Sequence, residues 1–142
     1  MFKNLVEQAH KDGFNEIVIE VIVKNTSGKI FLVHEHRSLL ENYQFPCCLL
    51  RRNETIPQAL ARIVTEKMRT TVKEVASYLC HRDLEGKRYY TFIAFVNDPC
   101  LAATNTSISS AWLSVQEAYG YPISEDIREV LDLYTKFEQS MS

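Results

Sequence analysis

The run EIVIEVIVK at residues 16–24 is dominated by Ile and Val. Their branched Cβ atoms are stiff in a helix and pack well on a pleated surface, so the run reads as a long strand with Glu20 carried on one face. NTSGK (25–29) is a turn and KIFLVHEHR (29–37) a second strand, which together predict an antiparallel hairpin. EVASYLCHRD (74–83) and KRYYTFIAFVND (87–98) predict another pair of strands around the turn LEGK, and AWLS (111–114) a short further strand. A chain built from such strands needs helices to cover them.

Four helical segments stand out. Phe2, Leu5, Val6 and Ala9 recur at helical spacing before Gly13, so residues 1–15 are a short amphipathic helix or a lead-in. Thr55-Ile56-Pro57-Gln58 fits a capping box, with Pro57 tolerated in the first turn. Behind it Ile56, Ala59, Leu60, Ile63, Val64 and Met68 form an apolar stripe running through residue 69. Ser114-Val115-Gln116-Glu117 is a second capping box opening a short helix. Residues 124–138 place Ile127, Val130, Leu131, Tyr134 and Phe137 on one face behind Ser124 as N-cap. Hairpins interleaved with helices predict an α/β (α+β) fold.

Composition narrows the class. At 142 residues the chain is expected to be one domain, 1–142, and it carries 24% charged and 46% hydrophobic residues, ordinary for a globular protein. A net charge of −2 argues against non-specific nucleic-acid binding. No stretch is apolar enough to cross a membrane and no export signal is evident, so a soluble, cytoplasmic protein with reduced Cys47, Cys48, Cys80 and Cys100 is expected. On that reading the Asn25, Asn53 and Asn105 sequons carry no glycan.

GKIFLVHEHR, NYQFP and AWLSVQEA, in this order, resemble elements of the Nudix hydrolases: the strand ending in basic residues, the aromatic-x-aliphatic-Pro approach to the signature loop, and a late Trp-aliphatic-x-x-x-Glu element. The resemblance spans about residues 16–138. It implies a Nudix-like α/β/α sandwich around a mixed sheet. Laid on the signature G-x5-E-x7-R-E-U-x-E-E-x-G-U (U aliphatic), the chain matches at Glu54, Arg62, Val64 and Glu66. It departs at Cys48, Ile63, Lys67, Arg69 and Thr70, and the usual Pro-Gly-Gly is Pro46-Cys47-Cys48.

The family resemblance implies that this helix holds Mg²⁺ or Mn²⁺ through carboxylates, and that counterparts of Glu54 and Arg62 brace the loop. Positions 63, 66 and 67 share one helix edge. Here they carry Ile63, Glu66 and Lys67, leaving Glu66 as the residual catalytic and metal-binding candidate beside an ammonium. Mg²⁺ requires an octahedron of oxygens and finds one good protein ligand there. The expectation is therefore impaired metal-dependent diphosphate hydrolysis, no resident cofactor, and binding of a nucleotide-like ligand or a partner. The alternative is an active hydrolase of nucleoside diphosphate-linked substrates, using Mg²⁺ or Mn²⁺ on replacement ligands such as Glu35, Glu74 or Glu117.

Arg51, Arg52 and Lys67 are the candidate anion-binding residues, since guanidinium and ammonium bind phosphate directly; a solvated basic loop is the competing reading. Arg62 also has an ordinary reading, as an i,i+4 surface pair with Glu66. His34, His36, Cys47, Cys48, Cys80 and His81 match no standard zinc spacing, and buried thiols with exposed imidazoles are expected instead of a metal site or a thiol nucleophile. Tyr43, Tyr89, Tyr90 and Trp112 are stacking candidates, with core packing the commoner role. Strands 16–24 and 87–98 are expected to leave a sheet edge open to a homodimer.

Overall fold

The computed structural model describes residues 2–35, 42–96 and 108–141. Its elements follow the order α1 (Lys3–Lys11), β1 (Glu16–Lys24), β2 (Ile30–Glu35), β3 (Cys47–Leu49), α2 (Ile56–Met68), β4 (Val72–Leu84), β5 (Lys87–Val96), β6 (Ile108–Leu113), α3 (Val115–Tyr119) and α4 (Glu125–Met141). The strands form one mixed sheet in the order β4-β5-β1-β2-β6, with β3 paired to β1 off this path.

β1 is the shared strand. It runs parallel to β5 along its whole length, from Glu16 opposite Lys87 to Lys24 opposite Phe95. On its other side its middle pairs antiparallel with β3, and Lys24 pairs antiparallel with Ile30 of β2 beside the turn. The expected hairpin exists, but the parallel partner comes from far along the chain. Strands 16–24 and 87–98 therefore do not supply a free edge: β1 and β5 are interior, because each has its backbone N–H and C=O groups shared with neighbours on both sides. Among the described strands, those with an unpaired side are β3, β4 and β6.

Both faces of the sheet are covered. Ile17, Ile19, Val21 and Val23 of β1 point to one face and pack with Ala9 of α1 and with Ile56, Ala59, Leu60, Ile63 and Val64 of α2. Ile22 points to the other, against Ala118 of α3 and Ile127, Val130, Leu131 and Tyr134 of α4. The two-residue period of the strand meets the helical period of α2 and α4, giving the α/β/α sandwich. No helix among the described residues is long and apolar enough to cross a membrane.

Local signals set the boundaries. Thr55 and Gln58 close a reciprocal capping box at α2, and Ser114 and Glu117 another at α3. The β4–β5 hairpin turns on Glu85 and Gly86, both at positive φ (50° and 78°), the two-residue geometry whose twist matches that of the strands. β6 starts at Ile108, three residues before the expected 111, because Ile108, Ser109 and Ser110 find partners on β2. The two serines give no strand signal in the sequence.

One buried charge ties the layers together. Glu20, 2% exposed, accepts from Arg82 of β4 through Nη1 at 2.7 Å and Nη2 at 3.0 Å, and from the Thr91 hydroxyl at 2.8 Å. Arg82 also donates through Nε to Asp126 at the start of α4 (3.1 Å) and lies over the Tyr89 ring.

Two stability changes are expected in urea titrations. Arg82→Met leaves Glu20 buried without its cation and should cost about 3–5 kcal/mol, part of which Glu20→Gln in the same chain should restore. Arg69, which ends α2 at φ 54°, holds a left-handed conformation that an L side chain adopts with strain; Arg69→Gly should stabilise by about 1 kcal/mol.

Candidate functional site

The loop between β3 and α2, and α2 itself, form the candidate site. Glu54, the residue just before the Thr55 cap, faces Arg62 two turns into the helix. Arg62 donates through Nε to Glu54 Oε2 and through Nη2 to Oε1, both at 2.9 Å, and Nη2 also donates to the Leu49 carbonyl at 2.9 Å. The Arg51 backbone N–H donates to Glu54 Oε1 at 3.0 Å. A single guanidinium thus ties together the end of β3, the loop and the helix. Arg62 pairs with Glu54 across the loop, so the i,i+4 reading with Glu66 gives way. The bidentate geometry and the low exposure of both side chains, 15% and 11%, explain the preference over a solvated surface partner. Arg62 and the Arg51 N–H hold the Glu54 carboxyl below the usual carboxylate range, and Glu54 in turn raises Arg62.

The helix edge at 63, 66 and 67 has a different character. Ile63 is 1% exposed and belongs to the core between α2 and the sheet. Glu66 is exposed and Lys67 half-buried one turn on. Mg²⁺ or Mn²⁺ would meet one carboxylate, an aliphatic side chain and an ammonium, and this donor set does not fit a hard dication. Among the described residues no group of three or more His, Cys, Asp or Glu side chains is placed to hold a metal ion.

The candidate replacement ligands lie on other elements. Glu117 is engaged in the α3 capping box, where the Ser114 backbone N–H lowers its pKa. Glu74 lines a cavity of about 600 Å³ with Lys24, Asn25, Lys73 and Phe95, away from α2. Glu35 is the last residue of β2.

The vicinal cysteines of the signature loop are strand residues. Cys47 is in register with Glu20 and Cys48 with Ile19 of β1, so they address opposite faces of the sheet. Neither is at positive φ, and the backbone where the family carries glycines is ordinary extended chain. Adjacent strand residues that address opposite faces do not converge on one tetrahedral ion; His36 and Cys100 lie outside the described residues. Burial raises the Cys48 and Cys80 thiols, which keeps them protonated and unsuited to attack. His81 lies 3.1 Å from the Tyr78 hydroxyl through Nδ1.

The aromatic candidates are mostly structural. Tyr90 is buried and donates to the Leu5 carbonyl at 2.7 Å, and Trp112 packs edge-on to Phe31. Tyr89 lies beneath Arg82, and Tyr43 packs against Tyr121 and His34.

Nor do the three cationic candidates meet. Arg51 and Arg52 precede α2 and border a cavity of about 430 Å³ with Val6, His10, Asn15, Ile17, Leu50, Asn53 and Glu54. Lys67 is in the last turn, at the far end of a 13-residue helix about 20 Å long. Sequence reasoning missed His10 and Asn15, which come from the N-terminal segment some forty residues earlier; no spacing rule could have joined them to the loop.

Because Glu54 is held below its ordinary pKa, its contribution to stability is present above about pH 4.5 and is lost as pH falls through the lowered value. Glu54→Gln should lower stability at pH 7 by about 2 kcal/mol. Its urea midpoint should converge on the parent's as pH drops below about 4.5, and parallel curves would rule out the linkage.

No protein-family model matches the sequence, and no curated protein matches it. Solved structures do. A MutT structure, from Aliivibrio salmonicida or Vibrio cholerae, superposes with a TM-score of 0.71 at 16% identity, over 82% of this chain and 97% of that one. The NUDIX domain of Shewanella oneidensis NrtR, solved with ADP ribose, gives 0.69 at 16% identity over 84% and 86%. The C-terminal domain of mouse MUTYH, solved with human PCNA, gives 0.68 at 16% identity over 88% and 90%. With the loop–helix unit packed on the mixed sheet, these superpositions establish that the chain has the Nudix fold.

Proposed function

We propose that this chain is a Nudix-fold binding domain that takes up a nucleotide-like anionic ligand and does not carry out metal-dependent diphosphate hydrolysis. The observation that carries this reading is the α2 edge: Ile63 buried in the core, Glu66 alone as carboxylate, and Lys67 beside it. Catalysis by Mg²⁺ needs the cation held by several oxygens while it bridges phosphates and activates water. A lone exposed carboxylate next to an ammonium supplies neither the charge nor the geometry. The brace that shapes the loop, Glu54 with Arg62, is intact, so the scaffold is kept where the metal ligands are not. Two structures of the same fold support a binding role in kind: one was solved with ADP ribose, the other with a protein.

Turnover of ADP-ribose and of nucleoside di- and triphosphates with Mg²⁺ or Mn²⁺ tests this directly. Formation of nucleoside monophosphate, followed by chromatography, should stay at the buffer blank; turnover that a chelator abolishes would overturn the reading. A gain-of-site variant gives the converse test. Ile63→Glu with Lys67→Glu sets carboxylates at 63, 66 and 67, and the strand geometry of Cys47 and Cys48 makes glycines there unnecessary. The variant should be less stable than the parent without metal, because Glu at 63 is buried. It should bind Mn²⁺ at least tenfold more tightly by calorimetry and regain stability with metal. Equal Mn²⁺ affinity in the folded variant and the parent would show that this edge is not the metal position.

A further inference from the structure

We infer that the groove between α1 and the β3–α2 loop docks an acidic segment of a partner protein, in extended form, with an apolar side chain seated on its floor. Such docking goes beyond nucleotide uptake and does not depend on it. Two cavities, of about 430 and 370 Å³, adjoin through Val6, Asn53 and Glu54. Together they follow α1 from Phe2 and Lys3 at its start to Asn15 beyond its end. A nine-residue helix is about 14 Å long, which four or five extended residues cover at about 3.3 Å each. One segment of chain can occupy both cavities at once.

Charge selects the partner. Lys3, Val6 and His10 share one face of α1, at i, i+3 and i+7, and line one wall. Arg51 and Arg52 line the other. Arg62, Arg82 and Arg88 are each locked to a carboxylate through two nitrogens. The Lys3, Arg51 and Arg52 side chains have no ion pair with any described residue, and all three are exposed. Among the described residues one carboxylate, Glu54, lines the groove, and Arg62 neutralises it through two 2.9 Å bonds. The whole chain is at −2, so positive charge is segregated here. Its complement is a segment rich in Asp and Glu.

The lining is mixed in the way a peptide requires. Val6, Ile17 and Leu50 are the apolar residues of the larger cavity, and Phe2 and Ile56 continue that floor into the smaller one. Between the basic walls stand the amide side chains of Asn15 and Asn53, which donate and accept hydrogen bonds as a peptide backbone does. Small-molecule pockets are lined mainly by apolar and aromatic groups. An extended peptide instead offers a polar backbone and side chains that alternate in direction, matching amides, guanidiniums and aliphatic groups together. Among the described residues no Phe, Tyr or Trp lines the larger cavity, so a nucleic-acid base lacks the ring on which it would stack.

Both walls are fixed before anything docks. The loop is held by the Glu54–Arg62 pair. α1 is held by Ala9 in the core, by the Tyr90 hydroxyl on the Leu5 carbonyl, and by Arg88, which donates to Asp12 at 2.7 Å and to Asp83 at 2.8 Å. A preformed groove spares the complex the cost of ordering its own walls.

The test pans a random hexapeptide phage library against the immobilised full chain. Selected sequences should be enriched in Asp and Glu and carry an apolar residue. The strongest is then made as a fluorescein-labelled peptide and its binding read by anisotropy. Arg51→Ala/Arg52→Ala, checked for folding by circular dichroism, should weaken it at least tenfold, as should Asn and Gln in place of the peptide's Asp and Glu. Arg51→Glu/Arg52→Glu should turn the selection toward Lys and Arg, which a merely structural role of these arginines would not do. Amide NMR shifts on adding the peptide should cluster at residues 2–17 and 50–56. No enrichment over a bare surface, enrichment without acidic residues, affinity within twofold in the alanine variant, or shifts clustered at residues 63–69 would overturn the groove. So would displacement of the peptide by ADP in chelator, or tighter binding of an octauridine RNA, since each names another occupant. Failure of ADP to bind anywhere would overturn the nucleotide reading and leave the peptide result standing.

Discussion

The architecture depends on β1 being shared by three other strands. A strand bonded on both sides, with apolar residues on both faces, cannot lie at a surface; every group it carries must be matched from elsewhere. β5 and β3 satisfy its backbone, α1 with α2 cover one face, and α3 with α4 cover the other. Glu20 is the exception in this strand and is fixed by the same constraint. Placed in the interior, its carboxylate has to be met by a cation, and Arg82 meets it while also reaching Asp126 of α4. The sheet and the outer helix are thereby joined by one charged group.

The signature loop is a second case of one group organising several segments. Arg62 reaches Glu54 and the Leu49 carbonyl, so the chain between β3 and α2 has a defined path without the glycines seen in the family pattern. The left-handed turn at Arg69 tells the same story at the other end of α2: the backbone geometry persists although glycine does not. Shape is maintained by pairings and hydrogen bonds, whereas chemistry depends on which atoms occupy the helix edge. Those are separable properties. Ile63 fills core volume where a metal ligand would have to be solvated and charged.

The α2 edge, where the family resemblance points, carries buried Ile63 and the single carboxylate of Glu66 beside Lys67. The concave, basic surface is at the other end of the same helix, where α1 folds against the loop. α1 is positioned by Arg88 and Tyr90 of β5, so the N-terminal segment is part of the body of the domain and contributes to its surface chemistry.

Much of this was legible from the residues. Capping boxes at Thr55 and Ser114 are local events between residues three apart, and they set the helix starts that they predict. The LEGK turn and the apolar stripes of α2 and α4 are likewise written in short-range spacing. The match of Glu54 and Arg62 to the signature also pointed at a pair that the structure brings together. Other features required the tertiary structure, because they join residues far apart in the chain. The parallel pairing of β1 with β5 made two expected edge strands interior. The partner of Glu20 lies 62 residues away, and the cleft unites His10 and Asn15 with Arg51 and Arg52. Alternation along β3 sent Cys47 and Cys48 to opposite faces, and depth decided that Ile63 is core. Sequence thus determined the elements and the inventory of charged groups, through local hydrogen bonding and periodicity. Only the packing of the sheet decided which charges are satisfied by each other and which are left facing solvent at a concave surface.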